Sequence, residues 1–113
     1  MITVIVFVDS DGEHRGFRIS GHAGFSEAGE DIVCAAVSVL AQNTVNAIEA
    51  FTEDTFLCSV EEGYLDCTFS GGISKETKLL LNTMLLGLES VRDSSCEEDQ
   101  EENPFIRIVT EEV

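Results

Sequence analysis

The chain has 113 residues, with 22 Asp and Glu against 6 Lys and Arg, and a formal net charge of −16. This length fits one domain, residues 1–113, and the 43% of hydrophobic residues in patterned runs argues against disorder. No apolar run approaches the roughly 20 residues of a membrane span and no export signal is recognised, so we expect a cytoplasmic protein. The acidic excess excludes direct nucleic-acid binding and docking on anionic membranes, and it favours a basic partner.

The hydrophobic pattern predicts seven elements in the order ββαββαβ, which fits an α+β fold with two helices packed on one mixed or antiparallel sheet. A glycine loop, 24–29, and an acidic connector, 93–103, are expected to be mobile. In chain order the predicted elements are strand Ile2–Val8, a strand around Phe17 and Ile19, helix Asp31–Phe51, strands Phe56–Val60 and Leu65–Phe69, a helix from the N-cap Ser74 to about Val91, and strand Phe105–Val109.

Two of these elements carry further expectations. Ile2–Val8 is nearly continuous apolar sequence rich in β-branched residues, typical of a strand covered on both faces. The helix that follows Ser74 is apolar around most of its circumference, so it must be buried on more than one side. In a chain this short, a second subunit is the expected cover, and we predict a homodimer.

Four cysteines are present, at positions 34, 58, 67 and 96, and without an export signal they are expected to be reduced thiols. If the loop at Glu62-Gly63 has two residues, Cys58 lies opposite Cys67, either as two packed thiols or, alternatively, as a cross-strand disulfide. A longer loop with Gly63 in a bulge would remove the pairing. There is no Cys-x-x-Cys and there are only two histidines, so we expect neither metal nor cofactor.

Cys34 differs from the other cysteines by its position in the first turn of the predicted helix, three residues after Asp31. Unpaired N–H groups and the helix dipole favour an anion there, and hence the nucleophilic thiolate. Cys34 shares the flank of the apolar stripe with Asp31 and Ser38. The alternative is a structural cysteine, because many cysteines at helix starts have no chemical role.

His22 follows a predicted strand in Gly21-His22-Ala23-Gly24. If the loop folds back, the imidazole comes near Cys34, which gives the minimal pair for nucleophilic acyl transfer. The alternative is that His22 only ends a strand.

Gly21-His22-Ala23-Gly24, Gly29 and the run Asp31 to Ser38 closely resemble the signature of the ribosomal-processing cysteine proteases (Prp). The resemblance implies a small bacterial homodimeric endopeptidase that removes a short N-terminal extension, cutting after an aromatic-containing stretch, from a large-subunit ribosomal protein. It implies Cys34 as nucleophile and His22 as general base and acid, with backbone N–H groups around Cys34 as the oxyanion hole. Asp31 and Ser38 would support the site, with Asp31 either capping the helix or orienting His22.

Gly24, Phe25 and Gly29 would belong to a lid that orders over the substrate peptide. One alternative function is a non-enzymatic acidic ribosome-assembly or adaptor module that binds a basic ribosomal protein. Another is a thiol redox sensor, for which the sequence shows no resolving cysteine near Cys34.

Overall fold

The computed structural model describes residues 1–21, 28–95 and 105–113. The order ββαββαβ and the α+β class predicted from the sequence are confirmed. The elements are β1 Ile2–Val8, β2 His14–Ser20, α1 Ala28–Phe51, β3 Phe56–Glu61, β4 Tyr64–Phe69, α2 Lys75–Ser95 and β5 Ile106–Glu112.

The five strands form one mixed sheet in the order β3-β4-β2-β1-β5. All neighbours are antiparallel except β1 and β5, which run parallel from the pair Ile2–Ile106 to the pair Val8–Glu112. Because β1 offers hydrogen-bonding partners along its whole length, β5 extends three residues past its predicted end at Val109. Strands β3 and β5 are the two edges of the sheet.

Both helices contribute their buried stripes to one apolar core with alternate residues of the strands. On β1, Ile2, Val4 and Val6 are buried, while Ile5 and Phe7 on the other face are only half-buried. The expectation that β1 is covered on both faces is therefore wrong, because both helices pack on the same side. The core cluster consists of Ile2, Val4, Phe17, Ile19, Val33, Val37, Ala41, Ile48, Cys67, Phe69, Leu81, Met84, Leu88 and Ile106.

Helix α1 begins three residues earlier than predicted, at Ala28. Gly29 therefore lies in the first helical turn rather than in a loop, and Asp31 is the fourth residue of the helix rather than its N-cap. Cys34 is the seventh residue and lies in the second turn, so its amide falls within the intrahelical hydrogen-bonding pattern. The predicted oxyanion hole of unpaired N–H groups at Cys34 is wrong for this reason.

Helix α2 begins as predicted, with Ser74 as its N-cap. The Thr77 amide donates to Ser74 Oγ at 3.2 Å, and Asp54 Oδ2 accepts from the Ser74 amide at 2.9 Å and from Ser74 Oγ at 2.6 Å. The fully buried Thr77 hydroxyl donates to the same carboxylate oxygen. The hydrogen bonds from the Ser74 hydroxyl, the Thr77 hydroxyl and the Ser74 amide, in that order, lower the pKa of Asp54 below its usual 3.8, against a smaller opposing effect of burial.

Helix α2 continues to Ser95, four residues past its predicted end, because the sequence contains no helix breaker there. Residues 93–95 of the predicted connector are therefore helical. The rest of the connector, 96–103, lies outside the described residues, and so does the glycine loop at 24–27.

The β3–β4 hairpin turns through Glu62 and Gly63, and Gly63 has a φ of 71°. The two-residue loop is thus confirmed, and Cys58 lies opposite Cys67 as it requires. The two cysteines form a disulfide with their Cα atoms 4.2 Å apart. The expectation of reduced thiols is wrong for this pair, because the register places the two residues at the short separation that a cross-strand bridge needs.

Part of α1, Ile32–Phe51, is long and apolar enough by length and composition to cross a membrane, with a mean hydropathy of 1.3. The sequence expectation missed this run, which contains Glu49 as its one charged residue. Its inner side chains, including Val33, Val37 and Ile48, are buried in the core. Core helices meet the same criterion, so the run carries no argument for a membrane span.

Candidate active site

A cavity of about 210 Å³ lies between the first half of α1 and one end of the sheet. It is open to solvent, and its lining is mainly apolar with a few polar groups. Its lining residues are Ile2, Ile19, Gly21, Cys34, Val37, Ser38, Ala41, Gln42, Val60, Glu61, Gly63, Tyr64 and Leu65.

Helix α1 supplies one wall of this cavity. Cys34, Ser38 and Gln42 follow one another at intervals of four residues, so they form a polar row along one flank of the helix. Val37 and Ala41 adjoin this row and are buried in the core. As predicted, Ser38 shares the flank of Cys34, and the half-buried thiol of Cys34 is accessible from the cavity.

The tip of the β3–β4 hairpin supplies the opposite wall. Val60 and Leu65 form a cross-strand pair, and Glu61, Gly63 and Tyr64 continue the wall around the turn. Ile2 and Ile19, from the two central strands, complete the cavity. A thiol therefore faces an apolar cleft that is bounded on the far side by an edge hairpin.

Gly21 connects this hairpin to the end of β2. Its amide donates to the carbonyl of Gly63 at 2.9 Å, and its φ is 96°. A side chain at this position would collide with the backbone carbonyl of Met1. Both the backbone conformation and the space therefore require glycine, and the chain is fixed at the cavity rim immediately before His22.

The other predicted site residues can be placed only in part. His22, Gly24 and Phe25 lie outside the described residues. Gly29 and Asp31 are placed by the backbone of α1, and their side chains are not described. Of the predicted site, the structure thus places Cys34 and Ser38 in one cavity, which is also lined by Gly21, the residue before His22.

Three lining residues with polar side chains were missed by sequence reasoning: Gln42, Glu61 and Tyr64. The Tyr64 hydroxyl is turned away from the cleft, since it donates to Asp66 Oδ2 at 3.3 Å on the face of the sheet that carries Arg18. The signal for Gln42 was available, because it lies eight residues after Cys34 on the same helical flank. Glu61 and Tyr64 could not be assigned from the sequence, since their place depends on how the hairpin tip meets α1.

The charges near the cavity are sparse. Glu61 is the one formally charged residue among its described lining residues. Arg18 lies on the other face of the sheet, where its Nε donates to Asp66 Oδ2 at 2.8 Å and its guanidinium contacts the rings of Phe7 and Tyr64. The hydrogen bond to Asp66 is the main cause of the raised pKa of Arg18. Arg18 is therefore paired with Asp66 on the opposite face of the sheet and does not lie beside the Cys34 thiol.

The part of the chain that the structure describes contains no candidate metal site. Among residues 1–21, 28–95 and 105–113, no group of three or more His, Cys, Asp or Glu converges to hold an ion. What the cavity can offer is a nucleophilic sulfur beside polar groups that can bind a peptide backbone.

Comparison with known proteins identifies the same chemistry. The family model described as cysteine protease Prp matches residues 1–99. The ribosomal processing cysteine protease Prp of Staphylococcus aureus is 32% identical over 95 residues, covering 82% of this chain and 90% of the relative. Its counterpart from Bacillus subtilis is 31% identical over 100 residues and covers 83% of each protein.

A solved structure agrees over the whole length. The crystal structure of the essential ribosomal processing protease Prp from S. aureus, in complex with a covalently linked product peptide, is 30% identical with a TM-score of 0.82. The match covers 98% of this chain and 100% of that one.

Proposed function

The chain belongs to the Prp family of cysteine proteases, and we propose that it is the endopeptidase that removes the N-terminal extension of a large-subunit ribosomal protein during ribosome maturation. The observation that carries the proposal is the thiol of Cys34 at the wall of an open, largely apolar cleft. A relative of the same fold has been solved with a product peptide covalently linked to it. We place this activity in the cytoplasm, where a ribosomal precursor is made.

We propose Cys34 as the nucleophile and His22 as its general base and acid. Cys34 is the one cysteine in the described lining of the cleft, and Gly21 holds the chain at the rim one residue before His22. A backbone fixed at residue 21 limits how far the imidazole can lie from the cleft, since one residue spans at most about 3.6 Å. This juxtaposition supports the dyad without requiring a third protein group.

The reaction then follows the general course of thiol acyl transfer. His22 takes the proton from Cys34, and the thiolate attacks the scissile carbonyl to form a tetrahedral intermediate. His22 returns the proton to the leaving amine, and a thioester links Cys34 to the N-terminal fragment. Water, deprotonated by His22, hydrolyses the thioester and regenerates the thiol.

The oxyanion of the intermediate needs hydrogen-bond donors aimed at it. Because the Cys34 amide lies within the helix, a side-chain donor is needed, and Ser38 lies one turn along α1 in the same wall of the cleft. We propose Ser38 as a supporting residue that binds the peptide backbone or the oxyanion. Asp31, in the first turn of α1, is retained as a supporting residue for His22.

The remaining loop proposal is narrower than the one expected from the sequence. Residues 28 and 29 are helical, so a lid over the substrate would consist of residues 24–27, which include Gly24 and Phe25. Because α1 starts at Ala28, this lid would hinge directly on the helix that carries Cys34.

We further propose that the enzyme is a homodimer. No charged residue occurs between Ile32 and Ile48 or between Leu79 and Leu88, although the chain carries 22 acids. Val39 and Leu86 are 67% and 65% exposed and lie opposite the buried stripes of their helices. An uncharged outer surface on the helix layer of such an acidic protein is typical of an interface between subunits.

A non-enzymatic adaptor that binds a basic ribosomal protein through acidic side chains is the second candidate. The net charge favours it, and the cleft with its thiol does not. The experiment that separates the two is incubation with the extended ribosomal protein, followed by mapping of its new N-terminus. Cleavage by the wild type and none by Cys34→Ala supports the protease, whereas unchanged binding with no cleaved product supports the adaptor.

A further inference from the structure

The wall of the cleft formed by the β3–β4 hairpin is held by three successive cross-strand pairs on its core side. At the base the rings of one pair meet edge to face, with centroids 6.2 Å apart, and at the tip the third pair lines the cleft. The disulfide is the middle pair. From base to tip the pairs are Phe56–Phe69, Cys58–Cys67 and Val60–Leu65.

Non-covalent contacts hold the β3 side of the tip weakly. Strand β3 is an edge strand, so it has ladder hydrogen bonds to β4 alone. Leu57 and Val60 are 77% and 67% exposed, so these two large apolar side chains of β3 add little burial. Short edge strands with few buried contacts open readily. Strand β4 is held by its ladder to β2, and the turn by the hydrogen bond from the Gly21 amide to the Gly63 carbonyl. The covalent bond one pair below the tip is therefore the main added restraint on the β3 side of this wall.

The two sulfurs differ in accessibility. Cys67 is 2% exposed and belongs to the core cluster, whereas Cys58 is only partly buried on the edge strand. A thiol from solution would therefore attack the sulfur of Cys58 and displace the sulfur of Cys67. The bridge is thus protected on one side and open to exchange on the other.

We propose that the Cys58–Cys67 disulfide is a redox-sensitive clamp on the substrate cleft, closed when oxidised and released by a small dithiol. The first thiolate of the dithiol forms a mixed disulfide with Cys58 and releases Cys67 as a thiolate, which takes a proton. The second thiol of the dithiol displaces Cys58, so the protein gains two thiols and the dithiol becomes a cyclic disulfide. Two electrons and two protons pass to the protein.

Release of the clamp loosens the edge strand that carries Val60 and Glu61 at the cleft, while β4 stays paired with β2 and the base of the hairpin stays closed. The effect on peptide binding rests on the proposed function, since it assumes that the cleft beside Cys34 takes the substrate. The opening of the hairpin does not rest on it. The enzyme would need Cys34 reduced and the clamp oxidised, so its activity would pass through a maximum as the solution becomes more reducing.

The first test follows the hairpin alone. Hydrogen exchange at the amides of 60–65 is measured in air-oxidised protein and after dithiothreitol, beside the Cys58→Val/Cys67→Val variant, which keeps apolar packing without a bridge. We expect exchange to rise by about tenfold on reduction, as for a lost cross-link on a short edge element, and to be fast and insensitive to dithiothreitol in the variant. Equal exchange in the two redox states would overturn the proposal whether or not the protein is a protease.

The second test follows the cleft. Binding of the precursor peptide to Cys34→Ala protein is measured in both states, with Cys96→Val as a matched control that removes a thiol outside the hairpin. We expect reduction to raise the Kd by about three- to tenfold in Cys34→Ala, and by the same factor in Cys34→Ala/Cys96→Val. When Cys58 and Cys67 are also replaced by valine, the Kd should not depend on redox state. A Kd that is the same in both redox states would contradict the link to the cleft.

The third test is made in cells that are quenched with acid and alkylated. Absence of the cross-linked Cys58–Cys67 peptide, even after oxidant treatment, would contradict the clamp itself.

Discussion

At the scale of single residues, the sequence predicts the cysteine that lines the cleft, Cys34, but it does not predict where the helix that carries Cys34 begins. The sequence singles out Cys34 by its predicted place in the first turn of a strongly periodic helix and by the motif that it shares with His22. Its supposed helix-start environment was wrong, because Ala28, Gly29 and Glu30 carry no strong stop signal and the helix extends back through them. A helix boundary is a local equilibrium of a few residues, which periodicity alone does not fix.

The first prediction concerns the base. His22→Ala should lower kcat for precursor cleavage by about 10²- to 10⁴-fold, the range of general acid–base catalysis, with little change in the melting temperature. The measurement is steady-state cleavage of the extended ribosomal protein. His14→Ala is the matched control, since this second histidine lies at the start of β2 and outside the described lining of the cleft. Equal loss in both variants, or none in His22→Ala, would remove His22 from the dyad.

At the scale of elements, the sequence predicted all seven in order, because the helices carry a period close to 3.6 and the strands are short runs of alternating or β-branched residues bounded by turn signals. It could not predict that both helices pack on one face, since β1 reads as apolar on both sides. Nor could it decide the state of the Cys58–Cys67 pair. The register followed from the two-residue turn, but the compartment argument favoured thiols and the geometry gave a bridge.

The start of α2 yields the second prediction. Asp54→Ala removes the acceptor for the Ser74 amide, the Ser74 hydroxyl and the buried Thr77 hydroxyl, and should lower the free energy of unfolding by about 1–3 kcal/mol. Urea denaturation at neutral pH measures it. Glu53→Ala is the control, because this neighbouring acid is exposed. Similar destabilisation of both variants would show that the hydrogen bonds to Asp54 contribute little.

The third prediction is the pH dependence of the same contact. Folding lowers the pKa of Asp54, so its contribution to stability is complete above the unfolded value near 3.8 and is lost as pH falls through the folded value. Wild type and Asp54→Asn should therefore differ most in free energy of unfolding above about pH 4 and converge in stronger acid. A difference that stays constant below pH 4 would exclude ionised Asp54 as its source.

At the scale of the whole molecule, the net charge of −16 is unevenly distributed, since residues 32–48 of α1 and 79–88 of α2 carry no charge. This charge disfavours nucleic acid and anionic membranes as partners, and it suits the proposed basic ribosomal protein, which it would attract from a distance. It also opposes a thiolate at Cys34, which must then depend on local groups. The two uncharged stretches of α1 and α2 place exposed apolar side chains, including Val39 and Leu86, on the outer side of the helix layer.

The fourth prediction tests the helix layer as the dimer interface. Wild type should sediment at about twice the 12.3 kDa of one chain, and Leu86→Lys should shift it to the monomer, because a lysine would be buried without a partner charge. Leu57→Lys is the matched control, since Leu57 is equally well exposed but lies on the edge strand. A dimer that persists in Leu86→Lys, or a monomeric wild type, would contradict this interface.

The most direct test of the account is the fate of a large-subunit ribosomal protein that still carries its N-terminal extension. Wild type and Cys34→Ala are incubated with this precursor, and the N-terminus of every product is mapped by mass spectrometry. The account predicts one defined new N-terminus with wild type and intact precursor with Cys34→Ala, whose circular dichroism should be unchanged. Intact precursor with both proteins, or the same product with both, would contradict the assignment of Cys34 as the nucleophile of a processing protease.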